Sequence, residues 1–167
     1  MDATMMHEPL GTAAIFAHGE RIHASSRIGL FDGEQMTWRS YAETANRARR
    51  LATALRSAGV HKDTRVATLS WNDFAHFEAY LAVPAMGAVL HTLNLRLHPD
   101  QVRYIMADAG DAFLIADGDL LAGLLPQINS LGALKHILVT GSATGLAGLE
   151  KPWTLYEDFI ADCEPIV

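Results

Sequence analysis

Glycine-rich loops bind phosphate when consecutive backbone N–H groups turn towards it and a nearby lysine neutralises its charge. The segment GSATG, Gly141–Gly145, follows an apolar run, but Leu146 and Ala147 stand where the lysine would be. Without its cation the segment reads as a surface loop. The eight histidines raise a metal reading, yet His91 and His98 are seven residues apart, on a strand and at a helix entrance, and His76 has no histidine four residues away. No HExxH or CxxC context accompanies them. Ser70, Asp73 and His76 can be drawn as a triad, but no G-x-S-x-G elbow would present the serine on a strained turn. His76 is expected on a helix flank, satisfied by backbone or water. Cys163 is the single cysteine, so it makes no internal disulfide, and no neighbouring base would activate it.

Asn94 and Arg96 follow a strand at its carboxyl end, where open α/β sheets bind ligands. Two readings exist for them. They contact a ligand, or Asn94 caps the strand-to-loop turn while Arg96 pairs with a carboxylate between elements; the local turn chemistry favours the second. Trp71 is expected to pack, with Asn72 or Asp73 capping the next helix.

The elements that must position these residues alternate along the chain. A helix is expected at 11–18, then a hairpin in which 27–31 and 35–38 flank the Asp32-Gly33 turn. Ser40 with Glu43 forms a capping-box pattern, and Tyr41, Ala45, Ala48, Ala52 and Leu55 recur at helical spacing until Gly59. The outer face of that helix, Glu43, Arg47, Arg49, Arg50 and Arg56, reads as solvated rather than as a nucleic-acid patch. Strands are expected at 65–70, 89–94, 112–116 and 136–140, and helices at 73–83 and 99–109, the latter with Pro99 in its first turn and Gly110 at its end. The stretch 119–128 is leucine-rich, and 141–151 is a glycine-rich loop. Thr154 and Glu157 mark a last helix through a second capping box. Strand, helix, strand units with short connections imply an α/β fold built on a parallel sheet.

With 167 residues, half of them hydrophobic and 19% charged, the chain is long enough to bury a core and too apolar to be disordered. The net charge of −6 gives no electrostatic reason to bind nucleic acid or an anionic membrane. No apolar run is long enough for a transmembrane helix, and Asp2 and Glu8 occupy the place of a signal peptide's positive charge. With one cysteine, these features suggest a cytoplasmic protein. The chain lacks a closing cap or charged tail at Ile166–Val167, so its end reads as arbitrary.

The stretch from Thr37 to Asp117 resembles the opening of the large domain of fatty acyl-CoA synthetases, within the adenylate-forming superfamily. Thr37, Tyr41, Leu51, Ala52, Leu55, Gly59 and Val66 carry it first. Trp71, Asn72, Gly87, Ala88, Val89, Asn94, Arg96, Leu97, Gln101, Tyr104 and Asp117 continue it without gaps. With weaker flanks the likeness covers residues 10–162. Asp63-Thr64 stands where the family usually has Gly-Asp, and Leu95 where Pro is common.

The resemblance implies that residues 1–167 are the incomplete N-terminal portion of that large domain. It implies a parent enzyme that joins a fatty acid to ATP with Mg²⁺, releasing pyrophosphate, and then passes the acyl group to CoA. In the family the phosphate loop is a Thr-Ser-Gly-Thr-Thr-Gly-x-Pro-Lys-Gly type segment; an acidic residue holds the ribose and a lysine sits on a mobile C-terminal domain. None of these maps onto a residue here. No catalytic, cofactor-binding or metal residue is therefore assigned, and this polypeptide alone is expected to be inactive and to bind no ATP, CoA or Mg²⁺. The HTLNLRLHPDQ stretch suggests a medium- or long-chain fatty acid by likeness. A homodimer is open, as is a second reading in which a truncated synthetase copy serves as a non-catalytic interaction module. A third, an unrelated doubly wound nucleotide- or flavin-binding domain, lacks a phosphate loop at a strand end.

Overall fold

The structure is a computed structural model that describes residues 11–165. The expectations about Asp2, Glu8 and the Ile166–Val167 end lie outside those residues. Helix α1 (Thr12–Ile22) leads into an antiparallel hairpin, β1 (Arg27–Phe31) and β2 (Met36–Ser40), in register Arg27 to Ser40 and Phe31 to Met36. The Asp32 carboxylate accepts the Glu34 and Gln35 N–H groups, which closes the turn at the expected Asp-Gly pair.

A five-stranded sheet follows, with β3 (Arg65–Leu69), β4 (Val89–Thr92), β5 (Phe113–Asp117), β6 (His136–Thr140) and β7 (Trp153–Leu155) in spatial order β4-β3-β5-β6-β7. All four pairings are parallel. The chain steps outward from β3 to β4, then crosses back to β5 on the other side. The strand order thus reverses beside β3, and the carboxyl ends of β3 and β5 flank that point.

Both sheet faces are covered, so the strands are apolar on both sides, as buried parallel strands are. On one face α1, α2 (Tyr41–Ser57), α3 (Phe74–Ala85) and α7 (Tyr156–Ala161) pack on Val66, Phe113, Ile115 and Leu138. On the other, α4 (Pro99–Ala109) and the short helices α5 (Gly118–Ala122) and α6 (Leu125–Asn129) pack on Ala67, Leu69, Leu114, Ala116, Ile137 and Val139. The alternation of these residues along β3, β5 and β6 is the period of two that a strand imposes.

The caps explain most boundaries. Ser40 Oγ accepts the Glu43 N–H at 3.1 Å; the returning half of the box is not made, and the Glu43 carboxylate lies 3.6 Å from Arg39 instead. Asp73 caps α3 through the His76 N–H at 2.7 Å. Around α4 a full box forms: His98 Nδ1 accepts from Asp100 N–H and Gln101 Oε1 from His98 N–H, while Gly110 ends the helix at φ 69°. The expected box at Thr154 and Glu157 is absent. Thr154 lies in β7, Leu155 is the N-cap of α7 without a side-chain bond, and Glu157 pairs with Arg47. Three residues are too few to show an alternation, so β7 passes in the sequence for the approach to a helix.

Candidate functional site

The carboxyl ends of the parallel strands gather polar groups on one edge. Ser70 follows β3, Asn94 and Arg96 follow β4, Asp117 ends β5 and Thr140 ends β6. Ser70 and Thr140 are 6% and 7% exposed, and their hydroxyls have no hydrogen-bond partner among the described residues. A buried hydroxyl without a partner is uncommon, and a water or a ligand oxygen is the usual way to satisfy one.

Two clefts open at this edge. The first, about 550 Å³, is lined by Ser70, Trp71, Asn72, His76 and the loop Leu93–Arg96. Asn94 turns that loop by accepting the Arg96 N–H at 3.0 Å, as expected. Arg96 itself is exposed and pairs with no carboxylate among the described residues, contrary to the expected ion pair. Trp71 is 57% exposed, so it borders the cleft rather than packing in the core. Sequence position alone could not show this, because burial of an aromatic depends on which elements close over it.

The second cleft, about 290 Å³, lies between the hairpin, the first turn of α3 and the start of α7, with Thr140 and Gly141 beneath. Its walls are joined through Glu78 of α3. That carboxylate is fully buried and accepts from Arg39 of β2, from Arg47 Nε of α2 at 2.7 Å and from the Tyr156 hydroxyl of α7 at 2.6 Å. Arg47 also grips Glu157 bidentately, at 2.9 and 2.6 Å. Burial works against the charge on Arg47, but Glu157 and Glu78 outweigh it and raise its pKa. Burial first, and Glu78 second, push the Tyr156 phenol well above its usual value. The face of α2 expected to be solvated is therefore partly structural. Arg47 is 20% exposed, Arg49 pairs with Glu20 and stacks over Phe16, and Arg50 donates to the Ala161 carbonyl. Helical spacing revealed the stripe of arginines but not the partners that α3 and α7 bring to it.

The GSATG loop is braced by its own side chains. Ser142 Oγ accepts the Thr144 N–H and donates to Thr144 Oγ1 at 2.8 Å, and Leu146 anchors the loop in the core. Leu146 and Ala147 follow the loop where a phosphate loop carries its lysine, so the cation that a triphosphate needs beside the backbone N–H groups is missing. Gly118 allows the loop to pass: a Cβ there would sit 1.7 Å from the Ser142 carbonyl oxygen.

The remaining candidates separate. His76 Nδ1 donates to the Trp71 carbonyl and Nε2 accepts from Thr68, both at 3.1 Å, while Asp73 is occupied by the α3 cap and Ser70 bonds to neither. The triad is thus not assembled; His76 lies on a helix flank, as expected, but is satisfied by one backbone carbonyl and one side-chain hydroxyl rather than by backbone or water alone. His91 pairs with buried Asp111 at 2.9 Å, whereas His98 caps α4. Among the described residues no group of three or more His, Cys, Asp or Glu side chains could hold a metal, and no helix is long and apolar enough to cross a membrane. Cys163 is half-buried, with its thiol 3.7 Å from the Phe159 carbonyl.

Comparison with known proteins supplies what the side chains leave open. The chain is 42% identical over 144 residues to a long-chain-fatty-acid–CoA ligase of Thermus thermophilus, covering 82% of this chain and 26% of that protein. It is 34% identical over 166 residues to a 3-methylmercaptopropionyl-CoA ligase of Ruegeria pomeroyi, covering 94% and 30%. It is also 30% identical over 158 residues to a medium-chain-fatty-acid–CoA ligase of Ectopseudomonas oleovorans, covering 93% and 29%. The crystal structure of the anthranilate CoA ligase AuaEII with anthranoyl-AMP superimposes with a TM-score of 0.82 at 21% identity, over 100% of this chain and 31% of that one. The chain thus spans 26 to 30% of the length of these curated relatives. Residues 17–158 match the family described as AMP-binding enzyme, and the chain belongs to that family.

Proposed function

We propose that this chain is the N-terminal portion of the large domain of an acyl-CoA ligase that activates a fatty acid with ATP and transfers the acyl group to CoA. The observation that carries the reading is the 42% identity to a long-chain-fatty-acid–CoA ligase, of which the chain matches 26%. The shares of the other relatives covered are similar. The unrelated nucleotide-binding domain gives way to the family match, and nothing specific favours the interaction module.

Adenylate formation requires the triphosphate to be held, its charge neutralised and the pyrophosphate stabilised as it leaves. GSATG supplies no lysine, and the described residues offer no metal cluster. Those tasks, with Mg²⁺, belong to sequence outside these residues. This chain contributes the scaffold and one wall of the substrate space at the carboxyl edge, with Arg96 free to meet a phosphate-bearing substrate, ATP or CoA.

The test is pyrophosphate release from ATP and a medium- or long-chain fatty acid. The 167-residue chain is expected to match a no-protein blank, whereas a longer product of the same gene is expected to release pyrophosphate and form acyl-CoA. Release by the 167-residue chain overturns the division of labour. A longer product carrying a phosphate loop but inactive on every fatty acid tested overturns the substrate class.

A further inference from the structure

We propose that the cleft above Thr140 is an oxyanion-binding site. Thr140 is 7% exposed, its Oγ1 has no partner among the described residues, and it lines this cleft. Phe74 and Ala75, in the first turn of the twelve-residue helix α3, line it too. Asp73 serves the His76 N–H with its side chain and the Phe77 N–H with its carbonyl. The Phe74 and Ala75 N–H groups have no acceptor among the described residues. A helix start with two open N–H groups, sharing a cleft with an unpaired hydroxyl, is a built donor site for a carboxylate or phosphate oxygen.

The charged groups around the cleft are already committed. Arg47 holds Glu157 bidentately, Glu78 holds Arg39, and the Asp73 carboxylate caps its own helix. The open capacity that remains is donor capacity: two N–H groups, with a hydroxyl that can rotate to donate. Because Glu78 ties the hairpin, α2 and α7 to α3, the opening between the walls is fixed before a ligand arrives. The acyl-CoA ligase reading provides two sources for the oxyanion, the carboxylate of the acid and a phosphate of the nucleotide. The assignment rests on that reading for the source but not for the site.

The test is an amide NMR titration of the 167-residue protein with inorganic phosphate, with octanoate and with chloride as the ionic-strength control. The amides of Phe74, Ala75 and Gly141 are expected to shift saturably with phosphate or octanoate at up to about 10 mM, the weak range for a single oxyanion. Saturation by phosphate assigns the nucleotide as source, and by octanoate the acid. Thr140→Val should weaken that binding about tenfold, the effect of one charge-assisted hydrogen bond. The same variant should leave the thermal midpoint unchanged or higher, since the hydroxyl it removes has no partner to lose. Shifts equal to those with chloride, or full-strength binding by Thr140→Val, overturn the site. Binding as expected, beside a longer gene product that forms no acyl-adenylate, leaves the site standing and overturns the functional reading.

Discussion

Glu78 has no solvent and three donors, so removing its charge leaves the buried Tyr156 phenol without its acceptor and takes the buried partner from two arginines that keep only more exposed carboxylates, Glu43 and Glu157. Glu78→Leu is expected to cost about 3–5 kcal/mol, the usual consequence of breaking a buried ionic cluster from one side. That is a large part of a domain's total stability, and urea denaturation with the m-value held constant measures it. Tyr156→Phe removes one hydroxyl and should cost less, about 1–3 kcal/mol. Arg96 behaves oppositely because it is exposed and pairs with no carboxylate among the described residues. In an active longer product Arg96→Ala should raise KM for one phosphate-bearing substrate about tenfold, with little change in stability, since what it loses is a charge-assisted contact made only with ligand. His136 supplies a pH dependence. Its ring faces Thr154 and Phe159 across β7 and α7, and burial lowers its pKa. The unfolded chain then binds the proton more readily than the folded one, so His136's contribution is complete above its unfolded pKa of about 6.5 and is lost as pH falls through the folded value. The urea midpoint should fall on acidification in the wild type and less steeply in His136→Gln.

Elements differ in how plainly the chain announces them. Pro99 at the start and Gly110 at the end bracket α4, and its bounds are as expected. Gly110→Ala forces a Cβ into a left-handed backbone and should cost about 1–2 kcal/mol in a thermal melt. Helix α2 is legible from its apolar spacing, but the partners of its arginine face are not, because Glu78, Glu157 and Glu20 come from other elements. Strand β7 was not legible at all: it has three residues and is defined by pairing with Ile137–Val139, a partner that propensity does not see. The β5–α5 turn depends on Gly118, where a Cβ would collide with the Ser142 carbonyl. Gly118→Ala is expected to cost about 3 kcal/mol, the upper end of overpacking, and to displace the 141–145 loop.

At the scale of the whole molecule, the reversal of strand order beside β3 brings Ser70, Asn94, Arg96 and Thr140 to one edge. In the relatives the matched stretch is 26 to 30% of the protein. The expected lack of pyrophosphate release by the 167-residue chain belongs to this scale. It follows from the missing lysine rather than from any defect in the fold.

The sequence by itself determined the alternation of elements, the parallel α/β class, most caps and the family. Each of these is written in local spacing or in a run of residues read in order. Only the tertiary structure decided that the Ser70, Asp73 and His76 side chains do not form a triad, that Trp71 and Arg96 face a cleft, and that one buried carboxylate joins β2, α2, α3 and α7. Those outcomes rest on contacts such as the one between Glu78 and Tyr156, 78 residues apart. Burial and pairing at that separation are properties of packing, which no window along the chain contains.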